Sequence, residues 1–363
     1  METPDAIHFE LETTADDDRP VYLVGTFNQW NAKDFQFPMH QVRAGFYECN
    51  LPKSKLHKFP MEYKYVKGDW GNEEVDRFGC HVSNRQLLDF QPLVKDYVPR
   101  WKKNGLSYQP ALLPKIEVID EAFEIPQLIK TRRIAALLPH DYYTTDKRYP
   151  VLYLQDGQNL FEDYAPFGTW AVDKRLAVMA ESGKNEVIII AIDHAHKDRI
   201  AEYTPSYKTR IGSGDGKKYA RFLTDTLKPY IDKHFRTLPD QMHTGIGGSS
   251  MGGLISIYAG IMYPEVYGKL MIFSPSLWVA PNIHIKSMIF PEPIMARIYL
   301  YAGEKESETM IPNIRRLKEA LEEKGLSEDQ IKIKLSIDPR GEHNEERWGK
   351  EFPLALDWLY FQE

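Results

Sequence analysis

Apolar and polar positions fall into two patterns along the chain. Over residues 1–96, short aromatic and β-branched runs of partial alternation recur: VYLVGTF (Val21 to Phe27), FYECNL (Phe46 to Leu51) and MEYKYV (Met61 to Val66). Asn28, Asn31, Gly45, Pro52, Gly68 and Gly71 separate them, and no long helical stretch intervenes. Half-buried strands bounded by turn formers predict a small all-β, immunoglobulin-like sandwich. Residues 97–114 carry Pro99, Gly105, Pro110 and Pro114 among charges and read as a linker.

From residue 115 to 363 strand and helix patterns alternate. The strand candidates are Arg132 to Leu138, Pro150 to Gln155, Glu186 to Ile192, His243 to Gly248, Lys269 to Ser274, Arg297 to Ala302 and Ile331 to Ile337. Several are apolar almost throughout, as strands buried on both faces of a parallel sheet must be. Between them, Lys217 to Lys233, Gly252 to Met262 and Ile311 to Lys324 carry apolar residues at helical spacing, the last stopping at Gly325. The alternation predicts an α/β domain of three layers.

Charge and cysteine usage narrow the class. Lys plus Arg number 46 against 52 Asp plus Glu, a net charge of −6, whereas a nucleic-acid protein concentrates positive charge on one face. With 42% hydrophobic and 27% charged residues the chain is not globally disordered. The longest aliphatic run, Val187 to Ile192, is far short of the ~18 residues that span a bilayer, so no membrane span is expected. Cys49 and Cys80 are too few for a disulfide scaffold or a four-cysteine zinc site, and a single bridge between them stays open. The acidic first twenty residues have no basic n-region and no apolar h-region, which predicts a cytoplasmic protein.

The strongest chemical signal is GIGGSSMGG, Gly245 to Gly253, placed between a strand and a helix. The pattern G-x-S-x-G fits when centred on Ser250, whereas centring on Ser249 puts Met251 where a glycine belongs. A phosphate-binding loop is the alternative, but no lysine follows in the required position. A nucleophilic serine needs a base held by an acid, in the chain order Ser, Asp/Glu, His. His343, after the last strand candidate, is favoured over His284, which falls too early. The acid should follow the strand Arg297 to Ala302: Glu306 is preferred, with Glu304 and Asp338 as alternatives. Backbone N–H groups of Met251 and of Gln158, in the loop after Pro150 to Gln155, suit an oxyanion hole. His194 and His196 in DHAHKD lack a third histidine nearby and read as a polar rim, not a metal site.

The set LYLQDGQNLF, GGSSMGG, GEHNEERW and R-x-x-E-Y-T-P (Arg199 to Pro205) resembles the esterase branch of the α/β-hydrolases. That branch includes enterochelin-type siderophore esterases, feruloyl and acetyl-xylan esterases, and mycolyltransferases. The resemblance implies an α/β-hydrolase fold with Ser250, Glu306 and His343 as nucleophile, acid and base. It also implies that Trp170, Arg199, Glu202 and Trp278 lie near the site mouth. Gln155-Asp156-Gly157 stands where many members have His-Gly. VYLVGTFNQWN and EYKYVKGDWGNEEVD resemble the early-set sandwich of carbohydrate-binding module family 48 and of siderophore esterases. In sugar-binding relatives exposed aromatics stack on glycan, which implies Trp30 and Trp70 here, with Lys64 as a polar partner.

The expectation is a serine carboxylic ester hydrolase, without cofactor, acting on a small-molecule ester of siderophore type or on an acylated saccharide. The alternatives are a feruloyl or acetyl-xylan esterase with a glycan-binding N-terminal domain, acyl transfer to a sugar, and an inactive carbohydrate-binding scaffold. No nucleic-acid or membrane partner is expected, and a homo-oligomer is left open.

Overall fold

The computed structural model describes residues 5–14, 17–32, 37–56, 58–163, 165–281, 283, 296–323 and 331–362. The chain divides into two units, Met1–Pro110 and Ala111–Glu363. The described residues of the first form nine strands: β1 (Ala6–Thr13), β2 (Val21–Gly25), β3 (His40–Arg43), β4 (Phe46–Pro52), β5 (Met61–Lys67), β6 (Asp69–Val75), β7 (Arg85–Leu87), β8 (Leu93–Val98) and β9 (Arg100–Trp101). One sheet has the order β3-β4-β1-β8; the other runs β2-β5-β6-β9, with β7 also on β5. Alternation explains the packing. In β1, Ile7, Phe9 and Leu11 are fully buried while the residues between them are only half-buried, and the inward set meets Leu23, Tyr63 and Tyr65 from the second sheet.

Residues 97–98 and 100–101, read above as linker, are instead strand. Pro99 lies between β8, which pairs with β1 in one sheet, and β9, which pairs with β6 in the other. Proline lacks the N–H a ladder needs, so it stands where the chain changes sheets. Trp101 is 3% exposed and its indole N–H donates to Thr13 Oγ1 at 2.8 Å, which fixes this segment in the sandwich. Cys49 and Cys80 are both buried and unbridged.

The second unit carries an eight-stranded sheet of β10 (Lys115–Ile125), β11 (Lys130–Leu138), β12 (Val151–Gln155), β13 (Ile188–Ile192), β14 (Thr244–Ser249), β15 (Lys269–Phe273), β16 (Ala296–Gly303) and β17 (Ile331–Asp338). Its order is β10-β11-β13-β12-β14-β15-β16-β17; β10, β11 and β13 pair antiparallel and the rest parallel. The central strands are buried along their whole length, which is why they read as continuous apolar runs. Helices Val172–Ala180, Met251–Met262, Met310–Glu322 and Glu345–Leu356 accompany the sheet, as does a run of Gly216–Arg221, Phe222–Leu227 and Lys228–His234 whose middle segment is π-helical. Val172–Ala180 is absent from the sequence reading. It is nine residues long and begins after Ala171 in the left-handed region with no capping side chain, so Asp173 in its first turn is a weak mark of its start. This is the α/β-hydrolase architecture in three layers.

The chain leaves β12 toward β13 on one side and later enters β14 on the other. That reversal opens a crevice at the carboxyl ends of the parallel strands, where ligands of open α/β sheets bind. Among the described residues no helix is long and apolar enough to cross a membrane.

Candidate active site

Ser250 sits on the turn between β14 and helix Met251–Met262 with φ 55° and ψ −122°, a strained conformation for a residue with a side chain. The flanking glycines make the turn sterically feasible. A Cβ on Gly248 would lie 2.9 Å from the carbonyl carbon of Gly252, and one on Gly252 would lie 2.7 Å from Asp156 Oδ2. Ser249 is buried at the strand end whereas Ser250 is half-buried, so only Ser250 offers its hydroxyl to the crevice.

Ser250 Oγ lies 3.1 Å from His343 Nε2, and His343 Nδ1 lies 2.7 Å from Glu306 Oε2. The turns after β16 and β17 are zipped together to achieve this. The N–H of Glu304 donates to Asp338 O, and that of Lys305 to Gly341 O, both at 3.0 Å. His343 directly precedes Asn344, whose side chain accepts from Arg347 N–H and starts the helix Glu345–Leu356. The Glu306 carboxylate is 1% exposed, against 40% for the His343 ring. Its Oε1 accepts from Gly303 N–H at 2.6 Å and from Ser274 O–H at 2.7 Å. Of the alternatives, Glu304 is exposed, and Asp338 accepts from Arg340 N–H and pairs with Arg347. His284 lies outside the described residues. A hydroxyl bonded to an imidazole whose second nitrogen meets a buried carboxylate is equipped for nucleophilic acyl transfer.

Around this line, the N–H of Met251 opens its helix with no capping side chain. Gln158 stands in the 3-10 turn Gly157–Asn159 beyond β12. Its side-chain amide is tied to the next loop, donating to His194 O at 3.2 Å and accepting from His194 N–H at 2.9 Å. Asp156, in the left-handed region at φ 60°, takes a two-pronged ion pair from Arg199 at 2.6 and 2.8 Å. Burial opposes the Arg199 charge, but the hydrogen bonds it donates to Asp156, with that carboxylate's charge, outweigh burial and hold the guanidinium protonated. Glu345 accepts from Asn159 Nδ2 at 3.2 Å, and burial, helped by the nearby Asp156, pushes its carboxyl upward. His194 Nδ1 accepts from His196 N–H at 2.9 Å, and burial lowers the His194 pKa.

Three residues implied by resemblance are placed differently. Trp170 is core rather than site mouth: it is 2% exposed, because its ring stacks on Phe273 with centroids 5.3 Å apart and the rings of Trp348 and Phe352 pack beside it. Glu202 is fully buried and bonded to Arg132 at 2.6 Å and Lys130 at 3.0 Å, so its carboxylate balances interior charge. Lys64, also buried, is paired with Glu73 at 3.0 Å and is not free for a ligand. Trp278 keeps 49% exposure two residues beyond Ser276, whose Oγ is 3.3 Å from that of Ser250.

In the first unit, Trp70 is 41% exposed beside the half-buried Trp30, with ring centroids 6.2 Å apart and planes tilted by 44°. Trp70 Nε1–H donates to Trp30 O at 3.1 Å. The two rings, with Asn31, Asp69 and Asn104, line a groove of about 480 Å³. Sequence reasoning assigned no role to Ser274, Ser276, Asn159, Glu345 or Trp348. Their signals were a Ser-Pro-Ser turn after an apolar strand, the Asn of LYLQDGQNLF and the tail of GEHNEERW.

The family model described as "Putative esterase" matches residues 126–359. The uncharacterized protein YbbA of Bacillus subtilis is 30% identical over 245 residues, covering 63% of this chain and 92% of that protein. An endo-1,4-beta-xylanase/feruloyl esterase of Xylanibacter ruminicola is 26% identical over 179 residues, 47% of this chain but only 22% of that protein's length. In fold, the enterobactin esterase of Shigella flexneri covers 99% of this chain and 95% of its own at TM-score 0.56 and 16% identity. The BES protein of Bacillus cereus covers 68% of this chain and 95% of its own at TM-score 0.54 and 20% identity.

Proposed function

Because the chain belongs to this esterase family and is a carboxylic ester hydrolase, we propose that it works through an acyl-enzyme on Ser250. Neutral His343 carries its proton on Nδ1, donated to Glu306, and Nε2 accepts the Ser250 hydroxyl proton as Oγ attacks the ester carbonyl. The oxyanion that forms takes the N–H groups of Met251 and Gln158. His343 returns the proton to the leaving alkoxide oxygen, and the alcohol departs. A water then attacks the acyl carbonyl, giving its proton to Nε2, and Ser250 Oγ is reprotonated as the acid leaves. Glu306 stays ionised throughout and steadies the imidazolium.

The observation that carries this reading is the line Ser250 Oγ, His343, Glu306 at 3.1 and 2.7 Å. The test is hydrolysis of p-nitrophenyl acetate with fluorophosphonate labelling mapped to a residue. Label on Ser250, lost in Ser250→Ala together with turnover, supports the reading. Turnover unaffected by that substitution refutes it.

The natural substrate is an ester of siderophore type or an acylated saccharide. The groove of Trp30 and Trp70 favours the saccharide, since a tilted, partly exposed indole pair flanked by Asn and Asp offers both ring stacking and hydroxyl partners. Trp70→Ala should then weaken binding to soluble polysaccharide with little change in melting temperature. Intact protein that binds no polysaccharide removes the saccharide reading and leaves the siderophore-type ester.

A further inference from the structure

Beyond the three residues of the line, a buried hydroxyl is built into the acid's support. We infer that Ser274 is the positioning residue of Glu306, oriented in turn by Trp348; the inference rests on Glu306 being the acid of the proposed triad. Ser274 follows β15 with no solvent exposure, at φ 44°. Its backbone N–H is held by Tyr301 O at 2.8 Å. A left-handed serine in the interior needs a reason.

The hydrogen-bond inventory supplies one. Trp348 Nε1–H can only donate, and it donates to Ser274 Oγ at 2.9 Å. The Glu306 carboxylate can only accept, and Ser274 Oγ lies 2.7 Å from its Oε1. The hydroxyl proton therefore has one destination, and the chain runs from indole to hydroxyl to carboxylate in a single direction. With Gly303 N–H at 2.6 Å, Oε1 receives two donors. Both of its lone pairs are then engaged, which resists rotation of the carboxylate, and among the described residues Oε2 meets His343 Nδ1–H. The Trp348 indole also stands edge-on to the His343 ring at 4.9 Å and 86°, so one side chain braces base and acid together. The same turn reaches the nucleophile: Ser276 N–H donates to Ser250 O at 3.0 Å.

Removing the hydroxyl leaves an indole N–H and a carboxylate oxygen short of a partner where no solvent reaches, and frees the acid to turn. A hydrogen bond to a charged group of this kind corresponds to roughly tenfold or more in rate when its loss is felt in the transition state. The test measures kcat and KM for p-nitrophenyl acetate per titrated site in wild type, Ser274→Ala, Ser274→Gly, Glu306→Gln and the Ser274→Ala/Glu306→Gln double variant. Glycine suits the positive φ, so it removes the hydroxyl without backbone strain. Expected is a kcat loss of roughly tenfold or more in both Ser274 variants, with KM within about twofold, and under about twofold further loss in the Glu306→Gln background. The inference is overturned by an unchanged kcat, by a loss carried in KM, by an equal loss in the Glu306→Gln background, or by failure of both single variants to fold. If Glu306→Gln leaves kcat intact, the acid assignment itself fails, which is distinct from a large Glu306→Gln loss beside a silent Ser274→Ala.

Discussion

Replacing Glu202 separates an interior charge balance from a substrate contact. The carboxylate is completely buried, and its oxygens receive Arg132 Nη2 at 2.6 Å and Lys130 Nζ at 3.0 Å. Arg132 is itself 8% exposed by side chain, and its Nε meets no hydrogen-bond partner among the described residues, so Glu202 is its main compensation. Removing one member of a buried pair costs about 3–5 kcal/mol, because the surviving charge stays buried and unpaired. Lys130 is 34% exposed and can turn to water, so its share is small, and Gln retains one acceptor oxygen. Glu202→Gln should therefore fall near the lower end, about 3 kcal/mol. For a domain of this size that is a melting-point drop of roughly 6–12 °C. Circular dichroism melts give the first number, and p-nitrophenyl acetate kinetics well below the transition give the second. KM and kcat should stay within about twofold, since nothing in the bonding of Glu202 involves the crevice. A melting point lowered by less than about 2 °C together with a raised KM would refute this reasoning and return Glu202 to the site mouth.

Glu306→Gln should lower kcat by about 10⁴, the scale seen when a triad carboxylate is neutralised in a serine protease, whereas Glu304→Gln, on an exposed side chain, should leave it nearly unchanged. Steady-state kinetics decides, and a sensitive Glu304 would move the acid by two positions. Gly248→Ala should reduce kcat by about 10²-fold, because the new Cβ would sit 2.9 Å from the Gly252 backbone and must open the elbow; wild-type activity in this variant would show that the elbow has slack. Burial raises the Asp193 carboxyl to about 6, partly offset by Arg133. A carboxyl raised above its unfolded value of about 3.9 binds protons more tightly in the folded state, so its contribution is present below that value and lost as pH rises through about 6. Asp193→Asn should consequently be more stable than wild type by on the order of 2–3 kcal/mol at pH 8, with the difference vanishing near pH 4 in denaturant titrations. An equal difference at both pH values contradicts the burial argument.

Local regularities make much of this protein legible in its sequence. Runs such as Ile188–Ile192 announce a doubly covered parallel strand, because only burial on both faces tolerates five apolar residues in succession. GGSSMGG between a strand and a helix selects Ser250, because close backbone approach excludes side chains at Gly248 and Gly252. The position of His343 follows from strand order alone. What the pattern could not decide is which side chains meet. Ser250 and His343 are 93 residues apart, and Glu306 is 37 from His343; the choice among Glu306, Glu304 and Asp338 depends on how two turns are zipped across neighbouring strands. Trp170, Glu202 and Lys64 show the same limit from the other side. Each looks suited to a ligand by residue type, and each is interior because segments distant in sequence close over it. Ser274 was invisible for the reason that it matters. A hydroxyl in a Ser-Pro-Ser turn has no distinguishing neighbour in sequence, and only packing of β15, the turn after β16 and helix Glu345–Leu356 brings an indole donor and a carboxylate acceptor to it. Periodicity and motif are local properties of the chain, whereas burial and hydrogen-bond partnership are set by contacts between segments far apart along it.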